Sequence, residues 1–233
     1  MLRSLTLLAA LVLPVAALAQ GPAPTPRQGT DFVPISPAQA PFGPPGPIEV
    51  AEVFSYHCIH CADFQPLMTA WKARQPADVR VTYVHAAWGG AVDNLARGFY
   101  AAEALNAVGR THAAMFRAFH VDRRIRSGTP EEIANAYAAL GLDRARMVAT
   151  MNSFGVTSRV NRAKQFTQRT GVNATPTIVV NGRYRVSATP DRGFEGMLQT
   201  VEWLVARERA RLRAATPPAT AAAPARPAAP PAR

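Results

Sequence analysis

Two cysteines separated by only two residues, in the motif Cys58-Ile59-His60-Cys61, constrain the fold of this chain more than any other feature. Residues 48–55 before the motif are rich in Val, Ile and Phe, and the apolar residues after it recur at helical spacing. This pattern predicts a buried strand that leads directly into a helix, with Cys58 at the helix N-terminus. Two cysteines are too few to staple a small disulfide-rich protein, so an apolar core must hold the fold.

The distribution of proline suggests where that core begins and ends. Of 21 prolines, nine lie between residues 22 and 47, and six lie between residues 217 and 231. Proline at this density favours extended linkers. We therefore expect a Pro-rich linker over 20–47 and a disordered tail rich in Ala, Pro and Arg over 214–233. The folded unit is then expected over 48–213, which is long enough to bury a substantial core.

The first 19 residues resemble a secretory signal peptide. Arg3 precedes an apolar run from Leu5 to Leu13, and Ala17-Leu18-Ala19 has the small-x-small pattern of a cleavage site. The alternative is a membrane anchor, but the run is much shorter than the ~20 residues that a spanning helix needs. We expect cleavage after about Ala19 and export to the periplasm, where thiols meet an oxidising environment.

Composition and charge exclude two further classes. Hydrophobic residues make up 48% of the chain and charged residues 18%, which is too apolar for a disordered protein. The net charge of +11 is compatible with a nucleic-acid partner, but residues 207–233 hold six arginines and one acid, Glu208. Nearly half of the positive excess therefore lies in a short tail, which argues against nucleic-acid binding.

The rest of the folded unit predicts an α/β fold. Helix starts are predicted at Thr129-Pro130, at Asp143, and at Thr157 or Ser158, because these residue types cap helices. The predicted elements after the motif are a helix, a strand over 79–85, a helical block over 91–169, a strand over 177–180, a turn at Asn181-Gly182, a strand over 184–186 and a helix over 191–213.

The position of the motif predicts redox chemistry. The positive end of the helix dipole favours a thiolate on Cys58, and the imidazole of His60 adds a donor or a cation. A low thiolate pKa stabilises the reduced dithiol and makes the disulfide a good oxidant. Cys58 is then the exposed nucleophile, and Cys61 is the buried thiol that closes the disulfide and expels a bound substrate.

Three other interpretations of the cysteines remain open. A structural disulfide across two residues would stabilise little, because it closes a very small loop. A protein that binds and delivers a metal would use Cys58 and Cys61 with His57 and His60, but these four ligands lie within five residues. Two unpaired core cysteines are disfavoured by export. We expect no metal and no cofactor other than the dithiol itself.

The motif and a second segment resemble the DsbA-like branch of the thioredoxin superfamily. Residues 52–61, Glu-Val-Phe-Ser-Tyr-His-Cys-Ile-His-Cys, are similar to that branch's active-site stretch. Residues 171–177, Gly-Val-Asn-Ala-Thr-Pro-Thr, are similar to its cis-proline segment. The resemblance implies a thioredoxin fold with an inserted helical domain at about 89–156.

The resemblance also implies roles for residues beyond the cysteines. A cis bond between Thr175 and Pro176 would face Cys58 and present the Thr175 backbone to an extended substrate. The alternative is an ordinary proline at the start of a strand. Glu52 would be a buried acid beneath Cys61 that shuttles a proton, or else a surface carboxylate on an edge strand. In the DsbA-like branch a lysine partners this acid. No lysine of this sequence can be assigned that role, and the nearest candidates for it are Arg80 and His85.

Two residues depart from the best-known members of the branch. Ile59 stands where those members have proline, and Thr175 stands where valine is common. Both are expected to contact the sulfurs, and Ile59 is also expected, with Thr175 and Pro176, to contact the substrate. The redox potential is therefore expected to differ.

The resulting expectation is an exported, monomeric thiol:disulfide oxidoreductase that introduces disulfides into reduced exported polypeptides. The implied partners are those unfolded polypeptides and a membrane-bound, quinone-linked reoxidant similar to DsbB. Alternatives are an isomerase or reductase of the same fold, the metal-delivery protein, and a module that binds a partner without redox chemistry. Isomerases of this superfamily usually add an N-terminal dimerisation domain, for which residues 20–47 are too short.

Overall fold

The computed structural model describes residues 25–215. The predicted signal peptide, the start of the predicted linker and most of the predicted tail lie outside these residues. Within them the chain forms five strands and seven helices. The strands are β1 (Val33–Pro34), β2 (Ile48–Phe54), β3 (Val79–His85), β4 (Thr177–Val180) and β5 (Tyr184–Val186). The helices are α1 (Ile59–Ala73), α2 (Ala91–Ala104), α3 (Val108–His120), α4 (Pro130–Ala139), α5 (Arg144–Met151), α6 (Phe154–Thr170) and α7 (Gly193–Ala215).

The strands form one mixed sheet in the order β1-β5-β4-β2-β3. β2 runs parallel to β3 and antiparallel to β4, so it has a partner along both edges. Every residue of β2 is buried, including the two glutamates, Glu49 and Glu52. The C-terminal end of β2 therefore delivers the two cysteines to an interior position of the sheet.

Two apolar clusters cover the sheet. α1 and α7 pack around Val50 and Ile178, whereas α2 to α6 pack in a cluster that includes Val53 and Val179. Because successive side chains of a strand point to opposite faces, Ile178 and Val179 place the two clusters on opposite sides of the sheet. The helical block is thus an inserted layer that shares the sheet with a smaller α1–α7 layer.

The structure confirms the four predicted strands and most of the helix starts. Thr129 and Asp143 cap α4 and α5 through their side-chain oxygens. The expectation that Thr157 or Ser158 begins the next helix is wrong, because Ser153 caps α6 and accepts a hydrogen bond from the amide of Val156. The expected end of the insertion at residue 156 therefore falls inside a helix.

The expectation that residues up to 47 form a linker is also wrong for the described part of that segment. β1 pairs antiparallel with β5 at the edge of the sheet, a position that tolerates proline. Phe42 is 1% exposed and its ring packs edge-to-face on Phe166. The Glu49 carboxylate accepts hydrogen bonds from the amides of Phe42 and Gly43. The folded unit consequently begins well before Ile48.

The last helix extends to Ala215, two residues past the expected boundary. Within residues 25–215, no helix has the length and apolar character needed to cross a bilayer.

Candidate active site

The cysteines lie at the junction of β2 and α1. Cys58 is the N-cap residue of α1, as the sequence predicts, and its amide donates a hydrogen bond to the Ser55 carbonyl at 3.0 Å. The Cys61 amide donates to the Cys58 sulfur at 3.3 Å. A side-chain acceptor at an N-cap satisfies one of the free amides of the first helical turn. Here the acceptor is the Cys58 sulfur, and the same amides stabilise its thiolate form.

The two thiols differ in accessibility. Both cysteines are free thiols; Cys58 is partly exposed, whereas Cys61 is fully buried. Ile59 is 51% exposed between them. Another sulfur can therefore approach Cys58 but not Cys61.

The electrostatics of the two thiols differ as well. The pKa of Cys58 is lowered to about 5, chiefly by a hydrogen bond from the Cys61 thiol, which outweighs the opposing effect of burial. Thr175 and the amides of Cys61 and His60 add to this effect. Burial raises the pKa of Cys61, and its hydrogen bond to Cys58 raises it further. At neutral pH the dithiol therefore carries one thiolate, on Cys58, and one proton, on Cys61.

The contribution of His60 differs from the expectation. Its imidazole is exposed, and the group that lowers the pKa of Cys58 is its backbone amide. Any residue other than proline at position 60 supplies that amide.

Thr175 lies against Cys58, as the resemblance implies. The peptide bond between Thr175 and Pro176 is cis, as the resemblance implies. The Cys58 sulfur lies 3.3 Å from the Thr175 carbonyl oxygen. Pro176 is buried, and β4 begins at the next residue. The Thr175 backbone is thus next to the reactive sulfur at the start of a strand.

Glu52 is buried in the centre of β2. Its side chain is 1% exposed, and neither carboxylate oxygen has a hydrogen-bond partner. Burial raises its pKa to about 8, the positive charge of Lys72 opposes this effect, and Cys58 adds to it. The alternative of a surface carboxylate on an edge strand is therefore wrong. The Glu52 carboxyl therefore keeps its proton at neutral pH and releases it near pH 8.

The basic group that acts on Glu52 is Lys72, which no local sequence pattern indicates. Its Nζ lies 4.8 Å from the ring centroid of Tyr83, the residue paired with Glu52 across β2 and β3. Arg80 instead pairs with Glu49 at 3.5 Å, so the expectation for Arg80 is wrong. Lys72 lies on the last turn of α1, eleven residues beyond Cys61, where only the packing of α1 on the sheet reveals its role.

His85, the other expected partner of Glu52, instead holds the loop before Cys58. Its Nε2 accepts a hydrogen bond from the Tyr56 amide at 3.2 Å, so the expectation for His85 is wrong. The Tyr56 hydroxyl is 3.0 Å from His112 Nδ1, and the Tyr56 carbonyl accepts from His120 Nε2 at 2.9 Å. Burial lowers the pKa of His85 to about 4 and that of His112 to about 3. Both imidazoles are neutral, and together with α3 they fix the residues that precede Cys58.

The four residues of the alternative metal site do not come together as a set of ligands in the described part of the chain. The His57 ring lies edge-to-face on Phe119, with 5.4 Å between centroids. Among residues 25–215, no group of three or more His, Cys, Asp and Glu side chains is placed to hold a metal.

Comparisons with known proteins agree with this geometry. A family model described as thioredoxin matches residues 44–200, a range that contains Cys58, Cys61 and Pro176. Thiol:disulfide interchange protein DsbA of Pseudomonas aeruginosa is 34% identical over 182 residues, 78% of this chain and 85% of that protein. DsbA of Azotobacter vinelandii is 35% identical over 173 residues, 74% of this chain and 80% of that protein. The crystal structure of the oxidoreductase DsbA from Xylella fastidiosa matches with a TM-score of 0.75 and 42% identity, covering 79% of this chain and 98% of that one.

Proposed function

Because the chain belongs to the DsbA family of thiol:disulfide oxidoreductases, we propose that its Cys58–Cys61 pair introduces disulfide bonds into reduced exported polypeptides. The observation that carries this direction of transfer is the asymmetry of the two thiols. An accessible Cys58 with a pKa of about 5 lies beside a buried Cys61 whose pKa is raised. That arrangement stabilises the reduced dithiol and makes the disulfide an oxidant.

The reaction proceeds by two exchanges. A substrate thiolate attacks the Cys58 sulfur of the disulfide, the bond between Cys58 and Cys61 breaks, and the electron pair remains on Cys61. A second substrate thiolate then attacks the substrate sulfur in the mixed disulfide, and Cys58 leaves as a thiolate. The substrate loses two electrons and the protein gains them. A leaving thiol of low pKa accelerates the second exchange.

The residues around the sulfurs support these two steps. Glu52, with a pKa of about 8, delivers a proton toward Cys61 as it leaves and accepts it again on reoxidation. The Thr175 backbone pairs with the extended substrate, because it lies next to the sulfur and leads into β4. The exposed Ile59 adds an apolar contact for the same chain.

The partners and the compartment in this proposal come from the resemblance to the DsbA-like branch. The substrates are unfolded exported polypeptides with free thiols, and the electrons pass to a membrane-bound, quinone-linked reoxidant. The protein acts as a monomer in the periplasm, with no metal, no cofactor beyond the dithiol and no nucleic-acid partner. The signal-peptide pattern of the first 19 residues supports export.

Equilibration with glutathione tests the direction of electron transfer. We expect the reduced protein to predominate even in buffers where most of the glutathione is oxidised, because the Cys58 thiolate stabilises the reduced form. Alkylation of free thiols followed by mass spectrometry measures the two forms. The Cys61→Ala variant is the control, since it forms only a mixed disulfide with glutathione. A protein that stays oxidised in excess reduced glutathione would be a reductase instead.

A further inference from the structure

A groove in the helical insertion leads away from the active-site loop. It consists of two adjoining cavities of about 150 Å³ and 590 Å³, which share Phe119 and Arg126. His57, the residue before Cys58, lines the smaller cavity, and Arg123 lines the larger one. The groove thus begins beside the reactive cysteine and ends at the loop between α3 and α4.

The groove carries positive charge that the described residues do not neutralise. Arg123 and Arg126 are exposed, and no carboxylate of residues 25–215 lies within ion-pair distance of either guanidinium. The nearby acids have other partners. Glu132 accepts hydrogen bonds from the amides of residues 126–128, and Asp122 lies 3.8 Å from Arg124. Within the described chain, two guanidiniums therefore face solvent from one groove without a partner.

The loop that bears these arginines is held in place. The amide of Arg124 donates to the Ala118 carbonyl at 2.8 Å, and Ile125 is 2% exposed. Arg123 has a φ of 51°, in the left-handed region that side chains of its size rarely adopt. The two residues that follow Arg123 hold this conformation through the hydrogen bond of Arg124 and the burial of Ile125.

The groove is also fixed relative to Cys58. His120 Nε2 donates to the Tyr56 carbonyl at 2.9 Å, and the Phe119 ring contacts the His57 ring. α3 therefore ends against the two residues that precede the cysteine. A polypeptide joined to Cys58 through a disulfide has this groove as its neighbour on the side of the helical insertion.

We propose that the groove binds acidic residues that flank the reacting cysteine of a substrate polypeptide. This inference rests on the proposed function. The planar fork of an arginine matches the geometry of a carboxylate, and two forks without partners favour a chain with acidic side chains. Each exposed ion pair contributes little on its own. The mixed disulfide keeps the acidic side chains close to the groove, which raises their effective concentration.

Two synthetic peptides with paired cysteines test the groove. They are identical except that the residues flanking one cysteine are glutamates in the first and glutamines in the second. The rate of single-turnover oxidation by the oxidised protein is measured for each. Every rate is divided by the rate of the same peptide with a small-molecule disulfide, because neighbouring carboxylates raise the pKa of the peptide thiol.

We expect the wild-type protein to prefer the acidic peptide by about fivefold, the effect of two weak exposed ion pairs. The double variant Arg123→Gln/Arg126→Gln should lose this preference and oxidise the glutamine peptide at the wild-type rate. Arg146→Gln/Arg169→Gln is the matched control. It removes the same charge from exposed positions on α5 and α6, and it should keep the preference.

The outcomes separate this inference from the proposed function. Equal corrected rates for the two peptides with wild-type protein would contradict the proposal that the groove binds acidic residues. A preference that survives in the Arg123/Arg126 variant would contradict it as well. Loss of the preference in the Arg146/Arg169 control would also overturn it, since net charge would then be the cause. In each of these cases, oxidation of the glutamine peptide still supports the proposed function. If neither peptide is oxidised, both proposals fail.

Discussion

The hydrogen bond that Cys61 donates to Cys58 is the largest single cause of the low pKa at Cys58. The helix amides of Cys61 and His60 add to it, because an N-cap sulfur accepts from the first turn. Reactivity at this position thus depends on a neighbouring thiol and on backbone geometry more than on a charged side chain.

Substitutions at Cys61 and His60 separate these causes. In Cys61→Ala we expect the titration midpoint of the Cys58 thiolate to rise from about 5, because the thiol donor is lost while the amides remain. Cys61→Ser keeps a donor and should move the midpoint less. His60→Ala keeps the amide and should move it least. The ultraviolet absorbance of the thiolate against pH measures each midpoint. If His60→Ala gave the largest shift, the imidazole of His60 would be the main cause of the low pKa of Cys58.

Glu52 destabilises the fold as it ionises. Its pKa rises from 4.5 to about 8 on folding, so the native protein keeps a proton that the unfolded chain releases. Stability should therefore fall between about pH 4.5 and pH 8, by up to ~1.4 kcal/mol per pH unit. We expect Glu52→Gln in a Cys58→Ala background to remove this slope and to be more stable than its parent at pH 8.

Denaturant unfolding at several pH values measures the effect of Glu52. The Cys58→Ala background removes the thiolate that acts on the Glu52 carboxyl. Glu49→Gln is a contrasting control on the same strand. Its carboxylate is fully hydrogen-bonded, so its replacement should destabilise the protein at every pH. A Glu52→Gln variant with the parent's pH slope would show that Glu52 ionises normally.

At the scale of elements, the turn between β4 and β5 joins the N-terminal segment to the sheet. The Gln39 amide donates to the Gly182 carbonyl at 2.9 Å. A Cβ on Gly182 would clash with the Gln39 carbonyl oxygen. Gly182 also has a φ of 65°, so this glycine serves both the turn and the close approach of the segment.

A pair of glycine substitutions distinguishes these two requirements. Gly193 has a φ of 56°, but a Cβ at this position would meet no atom of the described chain within 4 Å. Gly193→Ala should therefore lower the free energy of unfolding by only about 1 kcal/mol, the cost of placing a side chain in the left-handed region. Gly182→Ala should cost ~1–3 kcal/mol more, because the segment must move. Denaturant midpoints measure both. Equal losses would mean that the N-terminal segment is not packed on the turn.

The same segment shows where sequence patterns stop being informative. The strand β2 and the cap at Asp143 follow from local residue types, which act over a few positions. The packing of Phe42 does not, because proline-rich composition around it is typical of linkers. The role of Lys72 was also missed, since it depends on how α1 lies over the sheet. Local patterns predicted elements and the motif, whereas contacts between distant elements required the structure.

At the scale of the whole molecule, the active site depends on both layers. β2 and α1 supply the cysteines, the segment before β4 supplies Thr175, and α3 supplies the histidines that hold Tyr56. Because these parts are distant in sequence, the site assembles only when the elements of both layers pack together. The ionisation of Cys58 is consequently coupled to the stability of the whole protein.

This coupling predicts a difference in stability between the two redox forms. The pKa of Cys58 falls from 9.0 to about 5 on folding of the reduced chain. A lowered pKa stabilises the folded state fully above about pH 9, and the effect is lost as the pH falls to about 5. The oxidised chain has no thiolate and lacks this contribution. The stability of the reduced form relative to the oxidised form should therefore decrease from pH 8 to pH 5.

Denaturant unfolding of the reduced and oxidised proteins across this pH range measures the difference. Both redox forms carry Glu52→Gln in this measurement, because the Cys58 thiolate raises the pKa of Glu52 only in the reduced form. The comparison then isolates Cys58. The reduced Cys58→Ala variant in the same background is the control, and it should lack the additional pH dependence that the reduced protein with Cys58 shows. If the stability difference between the redox forms were constant with pH, the folded state would not favour the Cys58 thiolate. Thiolate stabilisation could then not be what makes the disulfide an oxidant, because the same free energy must appear both in the redox equilibrium and in the folding equilibrium of the reduced chain.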